Sequence, residues 1–283
     1  MNTTTEAQDR LGLPAEAWLP CTAVQPPDAE KMILDGDWPT AEAFLAEQSP
    51  LEILRIYLAL LPAVRERYDA LGIPQEVFLD GLRDITLWSQ EHRKRCGTLG
   101  LDAWPWVAKT LRLEVFRLGR LQFEPAHAEA ALQCSFAAFP EGTPLLNIHI
   151  PAGAPLRENE VLESLRRAQP FFRRYLGFDA ELLHCHSWLL SPALRELLPP
   201  ESGIVRFQSL FEVYATQQSR QAEERVFGCV ADDPKDYPQT TLLQRRMKAY
   251  LQEGHTVGAG LGILLPIVAE LPEKIQNPKE NIE

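Results

Sequence analysis

Leu145-Leu146-Asn147-Ile148-His149-Ile150, followed by Pro151-Ala152-Gly153-Ala154-Pro155, is the stretch on which the fold turns. The first six residues read as a strand. Leu146, Ile148 and Ile150 share one face at period two, and Asn147 and His149 share the other. Two prolines and a glycine then end it. A Leu-, Glu- and Arg-rich helix is expected from Asn159 to Leu176. Leu182 to Leu190 reads as the next strand, with His184, His186 and Trp188 on one face and Cys185, Ser187 and Leu189 on the other. Ser191-Pro192 opens a short helix to Leu198. Ile204 to Ala215 reads as a strand, Thr241 to Glu253 as a helix closed by Gly254, and His255 to Ile267 as a final strand. Gly258, Gly260 and Gly262 imitate a phosphate loop, but no helix follows. They therefore indicate a strand that another backbone approaches closely.

Upstream of this segment, Leu121 to Glu124 alternates like a strand, with Ala131 to Phe139 as its expected partner. Leu111 to Gly119 is compatible with a helix end or a strand. Further back the period changes. Leu54, Tyr57 or Leu58, Leu61, Val64, Tyr68 and Leu71 recur at helical steps after Ser49-Pro50, a natural helix start. A second helix is expected from Gln75 to Arg95, with Phe78, Leu82, Ile85 and Trp88 on one stripe and Gly97 as its stop. Trp38 to Ala46 suits a short helix inside a loop-rich lead-in. The sheet should thus come only from residues after about 110.

Composition narrows the function classes. A formal charge of −11 over 283 residues disfavours a nucleic-acid partner. Residues 1–50 hold nine acids against two bases, so the acidity is concentrated there. The five cysteines are scattered and form no C-x-x-C pair, which argues against a disulfide framework or structural zinc. The first residues carry no basic, then apolar, leader pattern, and no apolar stretch is long enough for a membrane helix. The expectation is a cytoplasmic protein with no membrane partner.

From residue 121 the order is strand-strand-strand-helix-strand-helix-strand-helix-strand, the order of a GNAT fold. Particular segments carry a closer resemblance: RLGRLQFE (117–124), LNIHIPAGAPL (146–156), CHSWLLSPAL (185–194), LLP (197–199) and LQRRMKAYLQEG (243–254). On these the chain resembles a bacterial acyltransferase family with a helical N-acyltransferase N-terminal domain and a GNAT-like C-terminal domain. The resemblance implies an α/β (α+β) fold, with a GNAT-like mixed central sheet and flanking helices behind a mainly helical N-terminal domain. The expected boundaries are 1–110, 111–272 and a flexible tail, 273–283. It also implies transfer of an acyl group from a thioester, on coenzyme A or an acyl carrier protein, to a small-molecule amine. The alternative is a degenerate scaffold that only binds a ligand or a protein.

The chemistry needs a base for the amine proton and donors for the oxyanion. His149, ahead of the loop, is the first candidate base, and His186 is the next. Asn147, Cys185 and Ser187 are candidate substrate contacts. The usual loop of this fold binds pyrophosphate through backbone N–H groups. Here Pro151 and Pro155 have none, so Ala152, Gly153 and Ala154 are the remaining donors, and a weakened or shifted coenzyme A pose is expected. No metal is expected, because His184-x-His186 lacks a third ligand at a signature spacing. Glu114, Glu124 and Glu212 are further candidate bases that read more readily as strand-edge or paired carboxylates, and Arg117 and Arg120, which straddle Gly119 and could bind an anion, read more readily as solvated or ion-paired surface cations. Trp104 and Trp106 read as packing between the two domains. His92, His127 and His255 carry no motif.

Overall fold

The computed structural model describes residues 3–266, so the expected tail at 273–283 lies outside the described residues. The chain forms two compact units. The first comprises residues up to Pro125 together with Ile150–Ala154 and Arg173–Gly177; the second comprises Ala126–His149, Pro155–Phe172 and the chain from Phe178.

The first unit is mainly helical: α1 (Thr3–Leu11), α2 (Pro26–Ala29), α3 (Trp38–Ala46), α4 (Pro50–Ala70), α5 (Gln75–Gly81), α6 (Arg83–Cys96) and α7 (Trp104–Leu111). α4 starts as its sequence dictates. Ser49 Oγ accepts from the Glu52 N–H at 3.2 Å, with Pro50 in the first turn. Ile53, Leu54, Tyr57, Leu61, Val64 and Tyr68 form its buried stripe. The single helix expected over 75–95 is two, interrupted at Leu82. Gly81 lowers helix propensity there, and a Cβ on it would lie 3.1 Å from Thr110 Cγ2, so the bend lets α5 and α7 meet closely. Gly97, at φ +73°, closes α6.

The ambiguity over 111–119 resolves into the end of α7 and a hairpin. β1 (Phe116–Leu118) pairs antiparallel with β2 (Leu121–His127), turning at Gly119 with φ +81°. Arg117 and Arg120 are not surface cations; both are buried. Arg117 lies 3.5 Å from Asp84, whose other carboxylate oxygen accepts from Trp106 Nε1 at 2.9 Å and Gln122 Nε2 at 2.8 Å. Burial lowers the Arg117 pKa and Asp84 opposes that shift. Trp104 packs near Trp38, 6.1 Å between ring centroids. Trp104 and Trp106 thus each have a partner inside the first unit. Asp84→Asn removes the charge facing a buried guanidinium. Its expected cost is about 1.5–3 kcal/mol, measurable as a lower urea midpoint at unchanged slope.

All strands among the described residues follow residue 115. The second unit holds a small ribbon, β3 (Leu132–Gln133) with β4 (Ala138–Phe139), paired Leu132↔Phe139. This corrects the expected pairing of 131–139 with 121–124; the segment is long enough to fold back on itself. The unit's sheet contains β5 (Pro144–His149), β6 (Leu182–Ser187), β7 (Phe211–Gln217) and β8 (Ala259–Leu264), in the order β5-β6-β8-β7. β5 and β6 are parallel, and β8 is antiparallel to both its neighbours. Its helices are α8 (Glu158–Leu176, with the last residues in the first unit), α9 (Leu194–Leu197), α10 (Gly203–Gln208), α11 (Gln221–Phe227) and α12 (Leu242–Gln252). Residues 204–215 are not one strand. Ser202 caps α10 by accepting from the Val205 N–H, and β7 begins only at Phe211. Ile204 and Val205 imitate a strand but lie downstream of a helix-start serine.

β8 is the glycine-rich strand. A Cβ on Gly260 would sit 2.4 Å from the Leu190 carbonyl oxygen, and one on Gly262 would sit 2.9 Å from Leu190 Cδ1. The backbone that approaches is the 3₁₀ turn Trp188–Leu190, which leaves β6 and folds over β8.

Candidate active site at the divergence of β5 and β6

The parallel ladder between β5 and β6 runs Leu145↔Leu182, Leu146↔Leu183 and Asn147↔His184, and no pairing follows. β6 continues to pair with β8 as far as Ser187↔Gly260. His149 on one strand and His186 on the other therefore lie past the last shared rung. Register puts Asn147, His149, His184 and His186 on one sheet face. His186 is exposed and His149 is half-buried.

At the last rung the side chains join. His184 Nδ1 donates to Asn147 Oδ1 at 2.9 Å, and the Tyr214 hydroxyl lies 3.0 Å from His184 Nε2. An amide oxygen only accepts, so the proton of the neutral ring is on Nδ1, and Nε2 accepts from Tyr214. Burial, with His186 nearby, pushes the His184 pKa down to about 4. Tyr214 is raised by burial. The register of β7 shifts between Val213 and Ala215, leaving Tyr214 as the extra residue of a bulge. Outside the ladder, its side chain leans across β8 to His184.

The opposite face is apolar. Cys185 is fully buried, and burial alone raises its thiol pKa far above the ordinary range, so it remains a thiol. Ser187 Oγ accepts from the Leu189 N–H at 3.2 Å and starts the 3₁₀ turn. These two residues pack and cap in this structure.

Within the first unit, loop 150–154 is gripped by Arg120, which donates to the carbonyls of Pro151 at 2.9 Å and Ala154 at 2.7 Å. Gly153 adopts φ +84°, a conformation that favours glycine. In the second unit a cavity of about 610 Å³ lies at the start of α8, lined among others by Leu156, Arg157, Glu158, Leu162, Gly203 and Arg206. Arg206 pairs with Glu158 at 3.3 Å and Arg157 with Glu160 at 2.9 Å. Gly203 makes the close approach possible, since a Cβ there would lie 2.7 Å from the Leu156 carbonyl oxygen.

The remaining candidates have structural partners. Glu114 pairs with Arg112 and Glu124 with Lys109, and Glu212 accepts from the backbone and hydroxyl of Ser135. His92, which carried no motif, lies with Cys96 and Asp102, their ligating atoms within 4.8 Å of one another. Its nitrogens contact Asp102 at 3.1 Å and Thr98 at 3.2 Å, and Arg95 also pairs with Asp102. This group ties down the loop after α6. His184 and Tyr214 are the residues here that the sequence did not mark as candidate bases or substrate contacts. Nothing in the sequence announces the bulge, and the rung at which the strands part is a tertiary fact.

The N-terminal part, residues 4–113, matches the N-acyltransferase N-terminal domain, and residues 115–264 match the GNAT-like C-terminal domain. Among solved structures, an acyltransferase in complex with decanoyl-CoA and teicoplanin superposes with a TM-score of 0.74 at 26% identity, covering 92% of this chain and 87% of the other. An acyltransferase mutant in complex with octanoyl-CoA gives the same values. An acyltransferase in complex with decanoyl-CoA matches with a TM-score of 0.66 at 25% identity, over 96% and 100% of the two chains. No curated protein matches by sequence. Among the described residues no helix is long and apolar enough to cross a membrane. With a helical unit ahead of a mixed sheet whose parallel strands part at a polar rung, the chain belongs to the acyltransferase family built from an N-acyltransferase N-terminal domain and a GNAT-like C-terminal domain, and it is an enzyme.

Proposed function

We propose that the protein transfers an acyl group from the thioester of coenzyme A to an amine on a small-molecule acceptor. The observation that carries this reading is the β5–β6 ladder ending at Asn147↔His184, with two imidazoles beyond it on one face. An extended pantetheine arm suits a place where two parallel strands cease to pair, because its amides can bond to strand backbone. The similar acyltransferases bound to decanoyl-CoA, to octanoyl-CoA and to coenzyme A with 10C-teicoplanin support both the donor and a small-molecule acceptor.

The amine nitrogen attacks the thioester carbonyl carbon, its N–H proton passes to an imidazole, and the C–S bond breaks to release the thiolate, which is then protonated. His186 suits the proton acceptor. It is exposed, and the strand that carries it is held by β8 at the His186↔Leu261 rung. His149, the other sequence candidate, faces the same side from the strand whose ladder has ended. Asn147 is engaged by His184 at the last rung. The cavity at the start of α8, lined by Arg157 and Arg206 together with Glu158 and Glu201, is the proposed seat of the nucleotide end, with the helix N-terminus and the two arginines available to its negative charge. An acyl carrier protein presents the same pantetheine thioester without the nucleotide; the acyl-CoA complexes of the similar acyltransferases favour the free coenzyme as donor.

The reading is tested by incubating the full chain with decanoyl-CoA and a panel of amines, following amide and free coenzyme A by mass spectrometry. Amide formation is expected. A chain that neither binds nor consumes decanoyl-CoA is a binding scaffold instead. In the same assay Arg206→Ala should raise KM for decanoyl-CoA by up to about fivefold at nearly constant kcat, the range of an exposed ion pair. An unchanged KM would move the nucleotide out of this cavity.

A further inference from the structure

The Asn147–His184–Tyr214 group is not used by the transfer scheme above, yet it sits at the rung where β5 and β6 part. We infer that Asn147 and Tyr214 are positioning residues that hold His184 as the uncharged Nδ1–H tautomer, so that positive charge during turnover develops beyond it, at His186. The inference rests on the acyl-transfer reading and deepens it.

Three observations carry it. Nδ1 of His184 faces an amide oxygen at 2.9 Å, which only accepts and so keeps a proton on Nδ1, and Nε2 lies 3.0 Å from a phenol that can donate to it when the ring is neutral. The partner on Nδ1 is Asn147. An aspartate at that position would favour the imidazolium, as carboxylate–imidazole pairs do; an asparagine orients the ring without stabilising its charge. Tyr214 reaches Nε2 because a bulge takes it out of the β7–β8 ladder, so the strand gives up a rung at the residue that supplies this hydrogen bond. Burial acts in the same direction, holding the ring pKa near 4.

Neutrality matters for the chemistry. As the amine attacks, its nitrogen becomes positive, and the proton then charges the accepting imidazole. A charged His184 two residues from His186 on the same face would oppose both steps. The acceptor would also meet a like charge on entry, since most amines arrive as ammonium ions.

The test uses the full chain with uniform ¹⁵N labelling and two variants, Tyr214→Phe and Asn147→Asp. Long-range ¹H–¹⁵N spectra should show wild-type His184 as the Nδ1–H tautomer and neutral at pH 6. In Tyr214→Phe, Nε2 loses its donor and the tautomers should mix. In Asn147→Asp the ring should become imidazolium at pH 6–7. With decanoyl-CoA and an accepted amine, both variants should lose about tenfold or more in kcat, with KM for decanoyl-CoA changed less than about twofold, since the loss is in the transition state and not in donor binding. A merely structural role would lower the melting temperature without this split. An Nε2–H tautomer or an imidazolium in the wild type would overturn the inference. So would variants whose His184 changes state while kcat does not. If the wild type consumed no decanoyl-CoA with any amine, it would be the acyl-transfer reading that had failed, whatever the spectra showed.

Discussion

His186→Asn lowers kcat by about 10²–10⁴-fold, the usual contribution of a general base, while leaving the protein folded. Asparagine keeps polarity and approximate size but cannot take a proton. The side chain is exposed, and its strand keeps the pairing His186↔Leu261 through backbone atoms alone, so the change in stability should stay within about 0.5 kcal/mol. The KM for decanoyl-CoA should hold, because proton acceptance enters only as the amine attacks. The measurement is steady-state turnover of decanoyl-CoA with an accepted amine across pH, for His186→Asn beside His149→Asn. The large loss in kcat should appear in the first variant and not in the second. If His149→Asn instead suffers the large loss, the base is on the β5 side of the divergence.

Gly260→Ala is expected to unfold the second unit more readily than any other single methyl added to β8. The new Cβ would lie 2.4 Å from the Leu190 carbonyl oxygen and 2.8 Å from its carbonyl carbon, and both are backbone atoms that no rotamer change can move. On either side the strand is fixed, Ser187↔Gly260 toward β6 and Thr216↔Gly260 toward β7. Either the turn 188–190 lifts off the sheet, exposing buried Leu189 and Leu190, or β8 shifts between its neighbours. The cost should meet or exceed the roughly 1–3 kcal/mol of ordinary overpacking, a large part of the roughly 5–15 kcal/mol that holds a domain. Gly262→Ala makes the comparison. Its nearest obstacle, at 2.9 Å, is Leu190 Cδ1, the far end of a flexible side chain, although Glu212 backbone oxygen is also close at 3.2 Å. It should cost less. Urea midpoints of the two variants decide the order, and equal midpoints for Gly260→Ala and wild type would show that the turn yields freely.

The two predictions meet in one piece of chain. The turn that packs on Gly260 begins directly after Ser187, and His186 precedes it. Damage at Gly260 should therefore reach the end of β6 and reduce turnover even in molecules that remain folded.

The sequence by itself determined the local elements and their class. Ser49-Pro50, Gly97 and the Thr241 box with Gln244 mark helix ends through hydrogen bonds that span only a few residues, so they are written in adjacent letters. The alternation in LLNIHI placed Asn147 and His149 on one face before any partner strand was known, and the glycines of β8 announced a close backbone approach. The same local logic failed where a long-range contact overrode it. One stripe from 75 to 95 became two helices at Gly81, where Thr110 arrives from elsewhere in the chain. Arg117 and Arg120 read as surface cations because charge normally seeks water, but Asp84 and the carbonyls of Pro151 and Ala154 satisfy them inside. Only the tertiary structure decided which histidine is locked and which is open. His184 and His186 are indistinguishable by period, being two residues apart on one strand. What separates them is the rung at which β5 departs, an asparagine 37 positions upstream and a tyrosine 30 positions downstream placed by a bulge, and such separations carry no signal in a single chain's letters.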